Sequence, residues 1–183
     1  MAKRIYIKNA PYFLTTNPKN RYPFFEEDIF CNVFIDVLAK CQKIKPFFLI
    51  GFKINPDHCH LILQPTGDFN ISQIMHSIKR ISSDQINQII CFQNKENPFV
   101  KLKWDDRLNL LNQFFIRKNN YNIHEFPKFK WQADFDDQLI GTPERLKRTI
   151  SYTENQWKHH DLKENKFLYI NKNIPPDLVF IGK

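Results

Sequence analysis

Asn55-Pro56-Asp57-His58-Cys59-His60-Leu61-Ile62-Leu63 is the stretch on which the fold turns. Asn-Pro-Asp is a tight-turn signal, and an apolar run from Phe47 to Ile54 precedes it, so the two sides read as a β-hairpin. Side chains alternate along a strand with period two, which puts His58 and His60 on one face. Two imidazoles side by side on a rigid strand are half of a metal site. Taken alone, such a pattern more simply describes histidines that face solvent or bond a neighbour, so the rest of the chain has to decide.

Working outward, Glu26 to Gln42 carries apolar residues at helical spacing (Ile29, Val33, Phe34, Val37, Leu38, Cys41), the core stripe of an amphipathic helix. Ile71 to Ile90 repeats the pattern, with Lys79 and Arg80 beside the stripe. Residues 4–16 read as extended, with a break at Pro11. Residues 91–130 mix charge, Asn and aromatics and read as an insertion, within which Leu108 to Ile116 fits a helix. Lys128 to Ile140 alternates as a strand around Trp131, Phe135 and Leu139. Thr142-Pro143-Glu144 starts a helix, with Thr142 as N-cap and Pro143 in the first turn, running to about His159. The tail, 162–183, is polar and expected to pack loosely. The order suits one domain over 1–183 of α+β class: a ferredoxin-like antiparallel sheet with helices on one face.

The 183 residues suffice for a proper core, and 42% hydrophobic with 25% charged residues is an ordinary globular balance. A net charge of +8 and a pI near 9.3 favour polyanionic partners, nucleic acid first. The 18 phenylalanines are core material in the main, though exposed rings also stack on unpaired bases. Cys31, Cys41, Cys59 and Cys91 form no C-x-x-C pair, so neither a zinc knuckle nor a thioredoxin-type centre is suggested. No run of 18 apolar residues exists to span a membrane. The N-terminus leads into a strand instead of a signal peptide, so a cytoplasmic location with reduced thiols is expected.

In the last helix stands Tyr152-Thr153-Glu154-Asn155-Gln156, where Tyr and Gln at i and i+4 share a helical face. An H-U-H strand (U being bulky and apolar) followed by a Y-x-x-x-Q helix resembles the HUH single-tyrosine transposases, both small insertion-sequence transposases and REP-associated tyrosine transposases. Asn55 to Leu63 is similar to the family's M-P-N-H-V-H-L-L core, with Pro56 aligned. Lys130 to Ile140 resembles its W-Q-x-x-F-x-D-x-x-I block. The resemblance covers roughly residues 5–160. Cys59 in the U slot and Asn155-Gln156-Trp157 in place of the Asn-Pro common among REP-associated members are departures.

The resemblance implies metal-dependent cleavage and rejoining of single-stranded DNA at a hairpin-marked site. Tyr152 would be the nucleophile, leaving a 5′-phosphotyrosine and a free 3′-hydroxyl. His58, His60 and Gln156 would hold a divalent ion, Mg²⁺ or Mn²⁺, since mixed nitrogen and oxygen donors with open positions suit these better than a closed zinc site. It also implies a homodimer in the insertion-sequence branch and a monomer in the REP-associated one. Lys79 and Arg80 are candidate DNA-backbone contacts, or else solvated charges. His159 and His160 read as helix-end cations that suit the dipole, and His76 and His124 have no partner at ligand spacing. The rival readings are a catalytically inactive binder of structured single-stranded DNA or RNA, and a replication-type HUH nickase.

Overall fold

The computed structural model describes residues 6–90, 106–119, 126–175, 178 and 180. Its elements are β1 (Tyr12–Thr16), α1 (Asp28–Ile44), β2 (Phe47–Asn55), β3 (His58–Pro65), α2 (Ile71–Ile89), α3 (Asp106–Asn119), β4 (Asp136–Leu139), α4 (Pro143–Glu154), α5 (Gln156–His159) and β5 (Leu168–Ile170). The expected hairpin is present: β2 and β3 run antiparallel, with Asn55 opposite His58 and only Pro56-Asp57 between them. β1 pairs with the other side of β3, so the sheet order is β4-β1-β3-β2-β5, antiparallel at every pairing. The α+β, ferredoxin-like class read from the sequence is the one the chain adopts.

The period of β3 divides its residues between two environments. Cys59, Leu61 and Leu63 join Phe52 and Ile54 in the larger core, beneath α1 and α2. Those helices form where the apolar stripes fall, burying Phe30, Phe34 and Val37 from α1 and Ile74, Met75 and Ile78 from α2. Asn70 caps α2 in a reciprocal capping box, its side chain accepting from the Gln73 N–H at 3.0 Å while Gln73 Oε1 accepts from the Asn70 N–H at 2.9 Å. The opposite face carries a smaller cluster of Phe13, Ile50, Ile62, Ile140, Leu146 and Leu178, covered by α4. Helices therefore lie on both faces, α1 and α2 on the one expected and α4 across the side from which His58 and His60 project. Thr142 caps α4 by accepting from the Arg145 N–H at 3.2 Å, with Pro143 in the first turn.

Three local expectations are corrected. The strand expected over 128–140 is limited to 136–139, and Trp131 makes a single bridge to Pro18. Trp131 instead packs among Phe25, Phe34 and Phe129 and donates its indole N–H to Ser82 Oγ at 2.9 Å. The carbonyls of Gln132, Ala133 and Asp134 all accept from the Lys79 ammonium, so they do not enter a ladder. The helix expected from Pro143 to His159 breaks at Asn155, whose side chain donates to the Ser151 carbonyl at 2.8 Å. The tail, expected to pack loosely, adds β5 to the sheet edge beside β2 and buries Leu178 against the α4 side. β5 comes so close at Gly51 that a Cβ there would sit 2.7 Å from Ile170 Cδ1 and 2.9 Å from the Tyr169 carbonyl.

Within 91–130, α3 bears out the helix expected around 108–116, packing through Leu108 and Leu111. Cys91, Trp104, Tyr121 and His124 lie outside the described residues. Cys31, Cys41 and Cys59 are free, buried thiols. Among the described residues no helix is long and apolar enough to cross a membrane.

Candidate active site

β3 delivers His58 and His60 to the α4 side, and the start of α5 delivers Gln156 from above. All three side chains are buried, with 3%, 4% and 1% of their surface exposed. His58 Nε2 and His60 Nε2 are 3.2 Å apart, and His60 Nε2 is 3.1 Å from Gln156 Oε1, 96 residues away in the chain. Tyr152 sits one turn before Gln156, its ring edge-on to His60 and to Phe13, each at 5.8 Å between centroids. It keeps 46% of its surface exposed and lines a cleft of about 1060 Å³ together with the two histidines and Gln156. The four residues singled out from the sequence thus meet, despite the helix break between Tyr152 and Gln156.

The ring orientations are set from behind. Asp57 Oδ1 lies 2.6 Å from His58 Nδ1. A carboxylate only accepts, so Nδ1 carries the proton and Nε2 of the neutral ring keeps its lone pair. His60 Nδ1 is 3.0 Å from Thr15 Oγ1, and its ring stacks on Phe13 at 5.1 Å. Burial first, and then the neighbouring charge of His58, lowers the His60 pKa to about 3. Burial likewise lowers His58, against the raising influence of Asp57. Burial raises the Asp57 carboxyl, but the hydrogen bond and charge of His58, with Arg21 at 3.4 Å, prevail and leave it lowered. At neutral pH both imidazoles are uncharged and able to donate lone pairs.

This donor set fits a divalent cation. Two ligands at right angles on an ion with bonds of about 2.1 Å sit about 3.0 Å apart, close to the 3.2 and 3.1 Å separations seen here. Asn55 adds a buried carboxamide oxygen without a hydrogen-bond partner, while its Nδ2 stands 2.9 Å from His58 Nε2. Among the described residues no group of three His, Cys, Asp or Glu side chains is placed to hold a metal ion. A third donor beside the two imidazoles would be the Gln156 amide oxygen. His160, read from the sequence as a helix-end cation, brings its ring to 4.8 Å from that of His58, and His159 lies 5.9 Å from Tyr152.

Lys79 and Arg80 are not brought to this cleft. They belong to α2, on the other side of the sheet, where Lys79 holds the 132–134 carbonyls and Arg80 approaches Asp84 at 3.9 Å. Asp57, Thr15 and Asn55 are among the site neighbours that the sequence does not single out. Asp57 carried a usable signal, a carboxylate directly before a candidate ligand histidine, although it reads first as a turn residue. Thr15 carried none, because its place beside His60 depends on the β1–β3 register.

The fold and this geometry can be set beside known proteins. No curated protein sequence matches the chain. Among solved structures it is similar to a REP-associated tyrosine transposase bound to a REP hairpin, at 18% identity and a TM-score of 0.57, over 88% of this chain and 74% of that one. It is also similar to a candidate transposase from Deinococcus radiodurans R1, at 15% identity and a TM-score of 0.48, over 85% and 97% of the two chains. The family model described as IS200-like transposase matches residues 6–110, more than half of the chain and inclusive of both histidines. The chain belongs to the IS200-like transposase family.

Proposed function

We propose that the chain is a metal-dependent single-stranded DNA transposase that cleaves and rejoins DNA at a hairpin-marked site in the cytoplasm. The hydroxyl oxygen of Tyr152 attacks the scissile phosphorus, the bond to the 3′-oxygen breaks, and that oxygen leaves as a 3′-hydroxyl with the proton the phenol gives up. The strand stays attached as a 5′-phosphotyrosine, and attack by another 3′-hydroxyl reverses the step and completes transfer. His58, His60 and Gln156 would hold Mg²⁺ or Mn²⁺, which would neutralise charge on the phosphate and polarise it toward attack. Asp57 and Thr15 keep the two imidazoles turned toward that position. Phe13 and His60 brace the Tyr152 ring at the cleft wall.

The observation that carries this reading is the convergence of three lone-pair donors beside an exposed tyrosine, assembled from two elements far apart in sequence. The hairpin bound to the structural neighbour supports a folded single strand as ligand. The test is incubation with labelled hairpin DNA and Mn²⁺ or Mg²⁺, read as a covalent adduct on a denaturing gel. The expected adduct needs the metal and is absent from Tyr152→Phe and His58→Ala. Hairpin binding with no adduct under either metal would leave a binding protein and defeat the transposase reading.

A further inference from the structure

The cleft extends well beyond the metal donors, along α4 to the edge strand β4. Arg145, Arg148 and Tyr152 stand at i, i+3 and i+7 and so share one face of α4, and all three line the cleft. Arg148 precedes Tyr152 by about 6 Å along the helix axis. Its guanidinium has no ion pair or hydrogen bond among the described residues, whereas Arg145 donates to Gln138 Oε1 at 3.3 Å. The floor opposite comes from β4. Asp136 lies across from Thr15, and Thr15 across from His60, so the three form one row over the sheet. Gln138 lies across from Phe13 in the next row of the same face. Two strand spacings, roughly 10 Å, separate Asp136 from His60. That leaves room for the nucleotide beside the scissile phosphate.

We propose that this groove between α4 and β4 holds the unpaired nucleotide next to the cleavage point, with Arg148 on its phosphate and Asp136 and Gln138 on the edge of its base. The inference rests on the transposase reading above. An unpaired guanidinium one turn from the nucleophile suits a phosphate oxygen. A carboxylate in a groove for a polyanion is repulsive unless it meets a base instead. Asp136 offers only acceptors, and Gln138, its oxygen taken by Arg145, offers its amide N–H groups. Two acceptors beside a donor complement the Watson–Crick edge of guanine, which has two adjacent N–H donors next to O6. Thymine, with one ring N–H beside O4, matches in part, whereas adenine and cytosine turn a ring-nitrogen lone pair toward the carboxylate. The preferred base at this position is guanine, free of pairing.

The experiment uses the full chain as Tyr152→Phe, which binds without cleaving, and a DNA hairpin with randomised single-stranded flanks, sequencing the bound pool. Guanine should be enriched at one flank position. Asp136→Ala in the same background should abolish that enrichment and weaken binding of the guanine-bearing probe roughly tenfold. Arg148→Ala should weaken all flanks alike and lower the salt slope by about one, with Arg148→Lys recovering part of the loss. Mn²⁺ affinity and thermal melting report whether each variant folds. A parent pool without positional preference, or a preference unchanged by Asp136→Ala, would overturn the proposal. Adduct formation by the unmutated protein is scored separately. An adduct with flat flanks retains the transposase and removes the groove; enrichment that depends on Asp136 without an adduct retains the groove and removes the transposase.

Discussion

The two faces of the sheet are built from the same strands and solve opposite problems. Under α1 and α2, β3 presents Cys59, Leu61 and Leu63 to a dry core of aliphatic and aromatic side chains. Toward α4 it presents His58 and His60, buried to a similar degree but bonded to Asp57 and Thr15 and facing the Gln156 amide oxygen. Apolar burial is favourable without direction. Polar burial is costly unless the group meets a partner. One face can therefore serve as the rigid support of the other, and substitutions on the two should separate stability from chemistry.

The largest expected contrast is Tyr152→Phe, which removes adduct formation altogether while leaving denaturant stability within about 0.5 kcal/mol, because the tyrosine is a half-exposed side chain. A loss of several kcal/mol in that variant would break the separation. Leu61→Ala is the converse: about 2–5 kcal/mol less stable by urea unfolding, with adduct yield per folded molecule retained. Acid sharpens the comparison further. His60 titrates near 3 when folded and 6.5 at its ordinary value, so between these the unfolded chain binds the extra proton. Stability is full above pH 6.5 and falls as pH drops below it, by about 1.4 kcal/mol per unit until pH nears 3. His60→Asn should flatten that part of the acid unfolding profile. Asp57→Asn should weaken Mn²⁺ binding about tenfold in calorimetry, with little change in melting. Gly51→Ala, against the β5 backbone, should cost about 1–3 kcal/mol in unfolding and leave Mn²⁺ affinity untouched.

The legible parts of the molecule were those encoded by local period. Asn-Pro-Asp with flanking apolar runs specified the hairpin, period two put both histidines on one side, and 3.6-residue stripes specified α1 and α2. Tyr152 and Gln156 were legible as a pair, but their spacing also describes a continuous helix. The break is marked by the Asn155 side-chain bond to the Ser151 carbonyl and by the turn of the Asn155 backbone out of helical geometry. The shortness of β4 was hidden for a similar reason, since the carbonyls that leave the ladder do so for a lysine 53 to 55 residues earlier. Thr15 and Asp136 belong to the site through strand register, which a single strand's sequence does not carry.

The sheet also bears on how the protein behaves at high concentration. Its long strands, nine residues in β2 and eight in β3, lie in the interior of the sheet. The borders are β4, four residues with Asp136 and Asp137, and β5, only three residues. Exposed borders are where foreign chains add and fibres begin, and short or charged ones are poor templates. A chain with this many aromatic side chains is thereby shielded from self-association through its most β-prone segments. Loss of β5 would uncover β2, and with it the longest ready-made template for aggregation among the described residues.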